Sequence, residues 1–269
     1  MANKKIYDLL ILLVFFTFYV IALFIYDDYG LSWDEYGERI SGFVSLNYVR
    51  EILSYETYQN YPKLNDYIFA EYGVVFNLPM AFIEKTFQID DSKKFFLLRH
   101  FFNFTIFFIS SIFFFLLLSK RFSKILSIIG LLFFYLSPRI FAESFYNNKD
   151  IIFLSFFIIS LFYAICFLNT PSYKNAFLLS ITSSLAIATR VMGIIVPFIV
   201  LIFFILRYFE KKSDIKKNIF KIIVFFFLLN TFVLIFWPYL WNDPINNLLS
   251  TFKSMSAYQW RGGIFYLNE

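Results

Sequence analysis

The chain has 269 residues, 59% hydrophobic and 24% aromatic, with a mean hydropathy of +0.66; apolar surface on that scale aggregates in water, which excludes a soluble domain. The net charge of +5 would suit nucleic acid in a soluble protein, but the basic residues fall in short stretches between apolar segments, where they set membrane topology. One cysteine, Cys166, and one histidine, His100, exclude an intrachain disulfide, a cysteine-built metal site and a two-histidine metal site.

The N-terminus MANKKIYDLLILLVFFTFYVIALFIYDD places Lys4 and Lys5 before an apolar core of about 20 residues, enough to cross ~30 Å of hydrocarbon. No small-x-small cleavage site follows, so 7–26 is read as an uncleaved first span rather than a signal peptide. Further apolar segments occupy 101–118, 123–138, 151–168, 176–189, 191–207 and 219–236. Each is expected to be a helix, because lipid offers backbone groups no partner outside the segment. The stretch 176–207 would make a single helix of about 48 Å, too long for one span without steep tilt, so it is divided near Arg190.

The segment GVVFNLPMAFIEKTF (73–87) is short for a span and carries Pro79, Glu84 and Lys85. Charge parity decides its fate. If it does not cross, the clusters Lys4/Lys5, Lys120/Arg121/Lys124, Lys174 and the run from Arg207 to Lys221 all fall on one side, as the positive-inside tendency prefers. The region 27–96, with twelve acids against six bases, then lies outside, and 73–87 is an interfacial or re-entrant helix. The expected fold is an all-α polytopic membrane protein with about seven transmembrane helices, a cytoplasmic N-terminus and juxtamembrane helices on the outer face.

Four pieces gather on that face: 27–96, the connection 137–150, the turn at Arg190 and the tail 237–269. None contains a Gly-rich phosphate loop, a Ser-His-Asp set or Cys/His ligand spacing. In SWDE (32–35), Ser32 and Glu35 fit a capping box at a helix N-terminus, which leaves Asp34 free to face a substrate. In NNKD (147–150), Asn148 fits a helix cap and Asp150 its first turn. Yet Arg139, Glu143, Lys149 and Asp150 share one short connection beside a membrane, where charges need partners or a ligand. Arg190 suits snorkelling to headgroups or a place in the site. The aromatic residues of WPYLW (237–241) suit an interface belt or a groove for a lipid tail.

The order of these segments resembles the polytopic glycosyltransferases of the GT-C class, specifically the bacterial family 39-like enzymes related to protein O-mannosyltransferases and lipid A aminoarabinose transferases. The resemblance is carried by SWDE, EYGVVFNLP (71–79), LLRHFFNF (97–104), SPRIFAESFYNNKD (137–150), ATRVMG (188–193) and WPYLWNDP (237–244). It implies an N-terminal GT-C-like module in the inner membrane with its active site facing the periplasm. The donor would be a polyprenyl-phosphate-linked sugar, and the acceptor an envelope glycan, lipid or protein. Asp34 corresponds to the first-loop catalytic base, with Glu35 beside it, and Asp150 to the second-loop acid. Cations should gather where charge grows on the leaving lipid phosphate; Lys149, Arg190, Arg139 and Arg99 are the candidates. No cofactor is implied, and carboxylates without histidine would suit only a hard divalent cation. Relatives continue through several more spans, so a C-terminally truncated chain is expected. The rival readings are a transporter or flippase of lipid-linked sugars, which would hold its charges mid-membrane at broken helices, and an inactive truncated relative.

Overall fold

The computed structural model describes residues 2–58, 60–209 and 215–257. The described residues form eleven α-helices and no strand: α1 Ala2–Ile25, α2 Glu35–Ile52, α3 Asn77–Thr86, α4 Ser92–Ser119, α5 Lys124–Leu136, α6 Pro138–Tyr146, α7 Asp150–Asn169, α8 Tyr173–Ile187, α9 Ile195–Phe209, α10 Ile215–Phe236 and α11 Pro244–Ser256. All seven apolar segments are helical, but they do not all have the length of a span. α1, α4, α7 and α10 are each long and apolar enough to cross a membrane alone. α5 and α6 make a fifth crossing only if counted as one span bent by 62°. α8 and α9 have 15 residues each, about 22 Å of helix, short of ~30 Å of hydrocarbon. The part of the expected outer tail from 258 onward, and the basic residues Lys211 and Lys212, lie outside the described residues.

Local chemistry explains where these helices begin and break. Pro138 opens α6, and Ser137 before it is extended (φ −67, ψ 109), because a residue preceding proline is driven out of the helical region. α4 begins at Ser92 rather than near 101, since Asp91 caps it by accepting the Lys94 N–H at 2.9 Å. LLRHFFNF therefore lies inside a helix rather than at its opening. The segment 73–87 forms the ten-residue α3, too short to span, with Pro79 in the first turn where its missing N–H costs nothing.

Two apolar cores share α7. One collects α7, α8, α9 and α10 around Phe167, Leu179, Val196 and Phe225; the other collects α1, α4, α5 and α6 around Phe107, Leu131, Tyr135 and Phe145. Lipid is as apolar as leucine, so these helices associate through close packing and hydrogen bonds rather than by escaping water. The small residues of α8 supply both: Ala176, Ser180, Ser183 and Ala186 are buried. Ser183 shares a 2.6 Å hydrogen bond with Ser160 of α7, and Ser180 donates to the Phe225 carbonyl of α10 at 3.1 Å. With α7 fixed between both cores, the loop at its N-terminus has a firm base.

Candidate active site

The chain leaves α1 through Tyr29, whose ring stacks on Phe145 of α6 at 4.5 Å, and enters SWDE. Glu35 is 1% exposed. One of its carboxylate oxygens accepts the Ser32 backbone N–H at 2.8 Å, and the other lies 2.9 Å from Nε2 of His100 on α4. Half of the expected capping box is thus present: Glu35 reaches back, but the Ser32 hydroxyl caps nothing. Asp34 occupies the position before α2 in a helical conformation (φ −89, ψ −19) and makes no capping bond. One α2 face, Asp34, Gly37, Glu38 and Ser41, lines a cavity at helical spacing. Behind it, burial pushes the Tyr67 hydroxyl above its ordinary pKa, partly offset by its hydrogen bond with Ser41, so it stays a neutral donor.

The second loop is organised by Asn147, not Asn148. Its side-chain oxygen accepts the N–H of Asp150 at 2.9 Å and that of Lys149 at 3.4 Å, which opens α7. Asp150 sits in the first turn of α7, where the helix dipole favours a carboxylate. Lys149 reaches across to Glu38, donating at 2.8 Å, with its ammonium 3.3 Å from the Tyr72 ring centre. The other oxygen of Glu38 accepts from Asn77 of α3 at 2.8 Å.

Arg190 approaches from the third direction. It is extended (φ −141, ψ 129) between α8 and the 3-10 turn Val191–Ile194, and its guanidinium pairs with Asp150. Gly73 allows the first loop to lie directly on this turn: a Cβ there would sit 1.7 Å from the Ala188 carbonyl oxygen.

Two adjoining cavities result. The larger, about 810 Å³, is lined by the α2 face, Phe69, Tyr72, Lys149, Arg190, Trp237 and Thr251 of α11 among others; the smaller, about 190 Å³, lies between SWDE and NNKD. Trp33, Asp34, Glu38, Lys149 and Arg190 line both. Of the acids on these walls, Glu35 is held by His100 and Ser32, Glu38 by Asn77 and Lys149, Asp150 by Arg190 and Asn147, and Glu71 by Ser250. Asp34 alone has no side-chain partner among the described residues. No group of three His, Cys, Asp or Glu side chains able to hold a metal occurs among them.

Four of the seven candidates, Asp34, Glu35, Lys149 and Asp150, thus meet Arg190 around the smaller cavity. The remaining two lie off its walls. Arg99 is fully buried, donating to Glu84 at 2.7 Å and to Asn77 at 2.9 Å. Arg139 is 86% exposed and pairs with Glu143 one turn on, a contact that raises its already high pKa. Glu38 and His100 were not among the candidates. Glu38 could have been found from helical phase, one turn beyond Asp34; nothing in sequence spacing links His100 to Glu35.

No curated protein and no solved structure matches the chain. A family model does, that of the dolichyl-phosphate-mannose-protein mannosyltransferases, over residues 81–237. The match runs from within α3 to Trp237, taking in NNKD and Arg190 but not SWDE. Because it covers more than half of a polytopic all-helical chain, the chain belongs to this family of membrane glycosyltransferases.

Proposed function

We propose that the protein moves a sugar from a polyprenyl-phosphate donor to a hydroxyl of an envelope glycan, lipid or protein at the periplasmic face of the inner membrane, with inversion at the anomeric carbon. The observation that carries this reading is the state of Asp34: alone among the acids around the two cavities, its carboxylate has no side-chain partner among the described residues, and a general base needs free lone pairs. Asp34 takes the proton of the acceptor hydroxyl as that oxygen attacks the anomeric carbon. The bond from the anomeric carbon to the phosphate oxygen breaks, and polyprenyl phosphate leaves with the electron pair.

Charge growing on the leaving phosphate calls for fixed cations. Lys149 and Arg190 stand on the same walls as Asp34, each held by a carboxylate, Glu38 and Asp150 respectively. Those carboxylates keep the cations in position and partly neutralised until a phosphate competes for them. Glu35 has no free oxygen to offer; anchored by His100, it fixes the loop that presents Asp34. Arg99 and Arg139 have no part in the phosphate contact. A lipid-borne donor explains the lack of any nucleotide-binding motif, and the acidic first loop supports the outward orientation.

The test is sugar transfer by Asp34→Asn in membranes supplied with polyprenyl-phosphate mannose. Transfer should fall by about 10²–10⁴-fold, with normal insertion and expression. Normal turnover would remove Asp34 from the mechanism. Release of free polyprenyl phosphate in step with transfer separates this chemistry from transport of an intact lipid-linked sugar.

A further inference from the structure

Most buried polar groups in a folded protein find a hydrogen-bond partner, and those that do not call for an explanation. Three side-chain N–H groups on the cavity walls are buried without an acceptor among the described residues: Nδ2 of Asn148, Nε of Arg190 and Nε1 of Trp237. Asn148 is 4% exposed and lines the smaller cavity; Trp237 is 1% exposed and lines the larger; Arg190 lines both. All three are donors. An indole N–H can only donate, so the partner that Trp237 calls for is an acceptor.

The other tryptophan of WPYLW gives the contrast. The Trp241 indole donates to the Leu234 carbonyl at 2.5 Å, as a tryptophan in a folded protein ordinarily does. Trp237 lies four residues away, more deeply buried, and its N–H has no such partner among the described residues. Burial also argues against Trp237 as part of an interface belt, where the indole would meet headgroup water.

We propose that Trp237 and Asn148 are donor-binding residues whose N–H groups hydrogen-bond oxygens of the phosphosugar headgroup, Asn148 from the smaller cavity and Trp237 from the larger. This rests on the glycosyltransfer reading above and extends it to two residues outside the acid and cation set. The ligand that satisfies both must be rich in acceptor oxygens on two sides, and a sugar phosphate is. Aromatic surface at the cavity, Tyr72 and the 99% exposed Trp33, suits the apolar faces of a sugar ring. The two residues act on affinity for the donor, while Asp34 acts on the chemical step.

The experiment uses the full chain in lipid nanodiscs, titrated with polyprenyl-phosphate mannose and separately with polyprenyl phosphate. Replacing Trp237 by its benzothiophene analogue, β-(3-benzothienyl)alanine, keeps both fused rings in their buried place and removes the N–H; Asn148→Leu keeps the shape and removes the amide. Each should weaken binding of the mannose-bearing probe by about 3- to 10-fold. Neither should lower the thermal midpoint of the free protein, because an N–H without a partner contributes nothing to its fold. Weakening of both probes assigns the contact to phosphate oxygens; weakening of the mannose-bearing probe alone assigns it to sugar oxygens. Unchanged affinity in both variants overturns the proposal, and so does a loss of affinity that only follows a loss of thermal stability. If the wild-type chain binds neither probe, the glycosyltransfer reading itself has failed; if it binds and Asp34→Asn stops turnover while these variants bind normally, only this inference has.

Discussion

Glu38 on α2 and Lys149 at the start of α7 are 111 residues apart in sequence and 2.8 Å apart in space. Their ion pair ties the first loop to the second across the cavity wall. Asn77 holds the far oxygen of Glu38 at 2.8 Å, so α3, α2 and α7 are joined by one chain of polar contacts. One of its members on the cavity wall, Lys149, is a cation suited to a phosphate.

Replacing Glu38 with Gln tests what that pair does. The amide can still accept from Asn77, but it no longer holds an ammonium. Lys149 then loses its position while its charge remains. The donor KM is expected to rise by about tenfold, equivalent to 1.4 kcal/mol of binding, with kcat changed far less, as for the loss of an interaction shared by ground and transition states. A fall in kcat with unchanged KM would show instead that Glu38 acts in the chemical step.

His100→Ala addresses the other anchor. It leaves the Glu35 carboxylate buried with only the Ser32 N–H, and losing a hydrogen bond to a charged group costs about 1.5–3 kcal/mol. The unfolding midpoint of the solubilised protein should fall accordingly. Transfer should fall too, because the loop that presents Asp34 is no longer pinned to α4. His100→Gln retains a donor and should recover part of both losses. Equal damage by Ala and Gln would point to ring packing rather than the hydrogen bond.

Arg99 and Arg139 should separate cleanly. Arg99 shares Glu84 with Arg39 at a site closed to solvent, so Arg99→Ala removes one cation from a buried network and should destabilise the fold by about 3 kcal/mol. Arg139, itself exposed, pairs with the half-buried Glu143 on its own helix. Arg139→Ala should leave transfer within about twofold of wild type. Donor-specific loss of affinity in Arg139→Ala, with the fold intact, would return it to the phosphate site.

These residues also mark how far sequence reading reaches. Apolar length is a strong local signal, and all seven apolar segments are helices. Whether a helix is a span is less local: Pro138 splits one, and α8 and α9 stop short. SWDE and NNKD were readable as polar islands at the ends of greasy segments, and their meeting at one cavity follows from the Glu35–His100 and Glu38–Lys149 contacts that tie α2 to α4 and α7. What could not be read is pairing across long separations. An arginine in LLRHFFNF looks like a phosphate ligand until Glu84 and Asn77 are seen to enclose it. A tryptophan in WPYLW looks like an interface anchor until it proves buried. Asn148 and Asn147 are equivalent caps on paper, and only the backbone of the turn selects Asn147.

Gly73→Ala tests the closeness of the first loop to the Arg190 turn. A methyl group at 73 would fall 1.7 Å from the Ala188 carbonyl oxygen and 3.0 Å from the Thr189 Cα. Both contacts are backbone, so no side chain can rotate away to make room. Either the loop 71–76 lifts or the end of α8 shifts, and overpacking of this kind costs about 1–3 kcal/mol. The lift would carry Tyr72 away from Lys149, whose ammonium it faces at 3.3 Å, and would change the spacing between Asp34 and Arg190 on the shared wall. Transfer should therefore fall more steeply than stability does, by at least about tenfold. Paired measurements of unfolding midpoint and transfer rate in the same membranes decide it. A variant that unfolds earlier yet transfers normally, wherever it remains folded, would mean that the first loop does not set the geometry of the site.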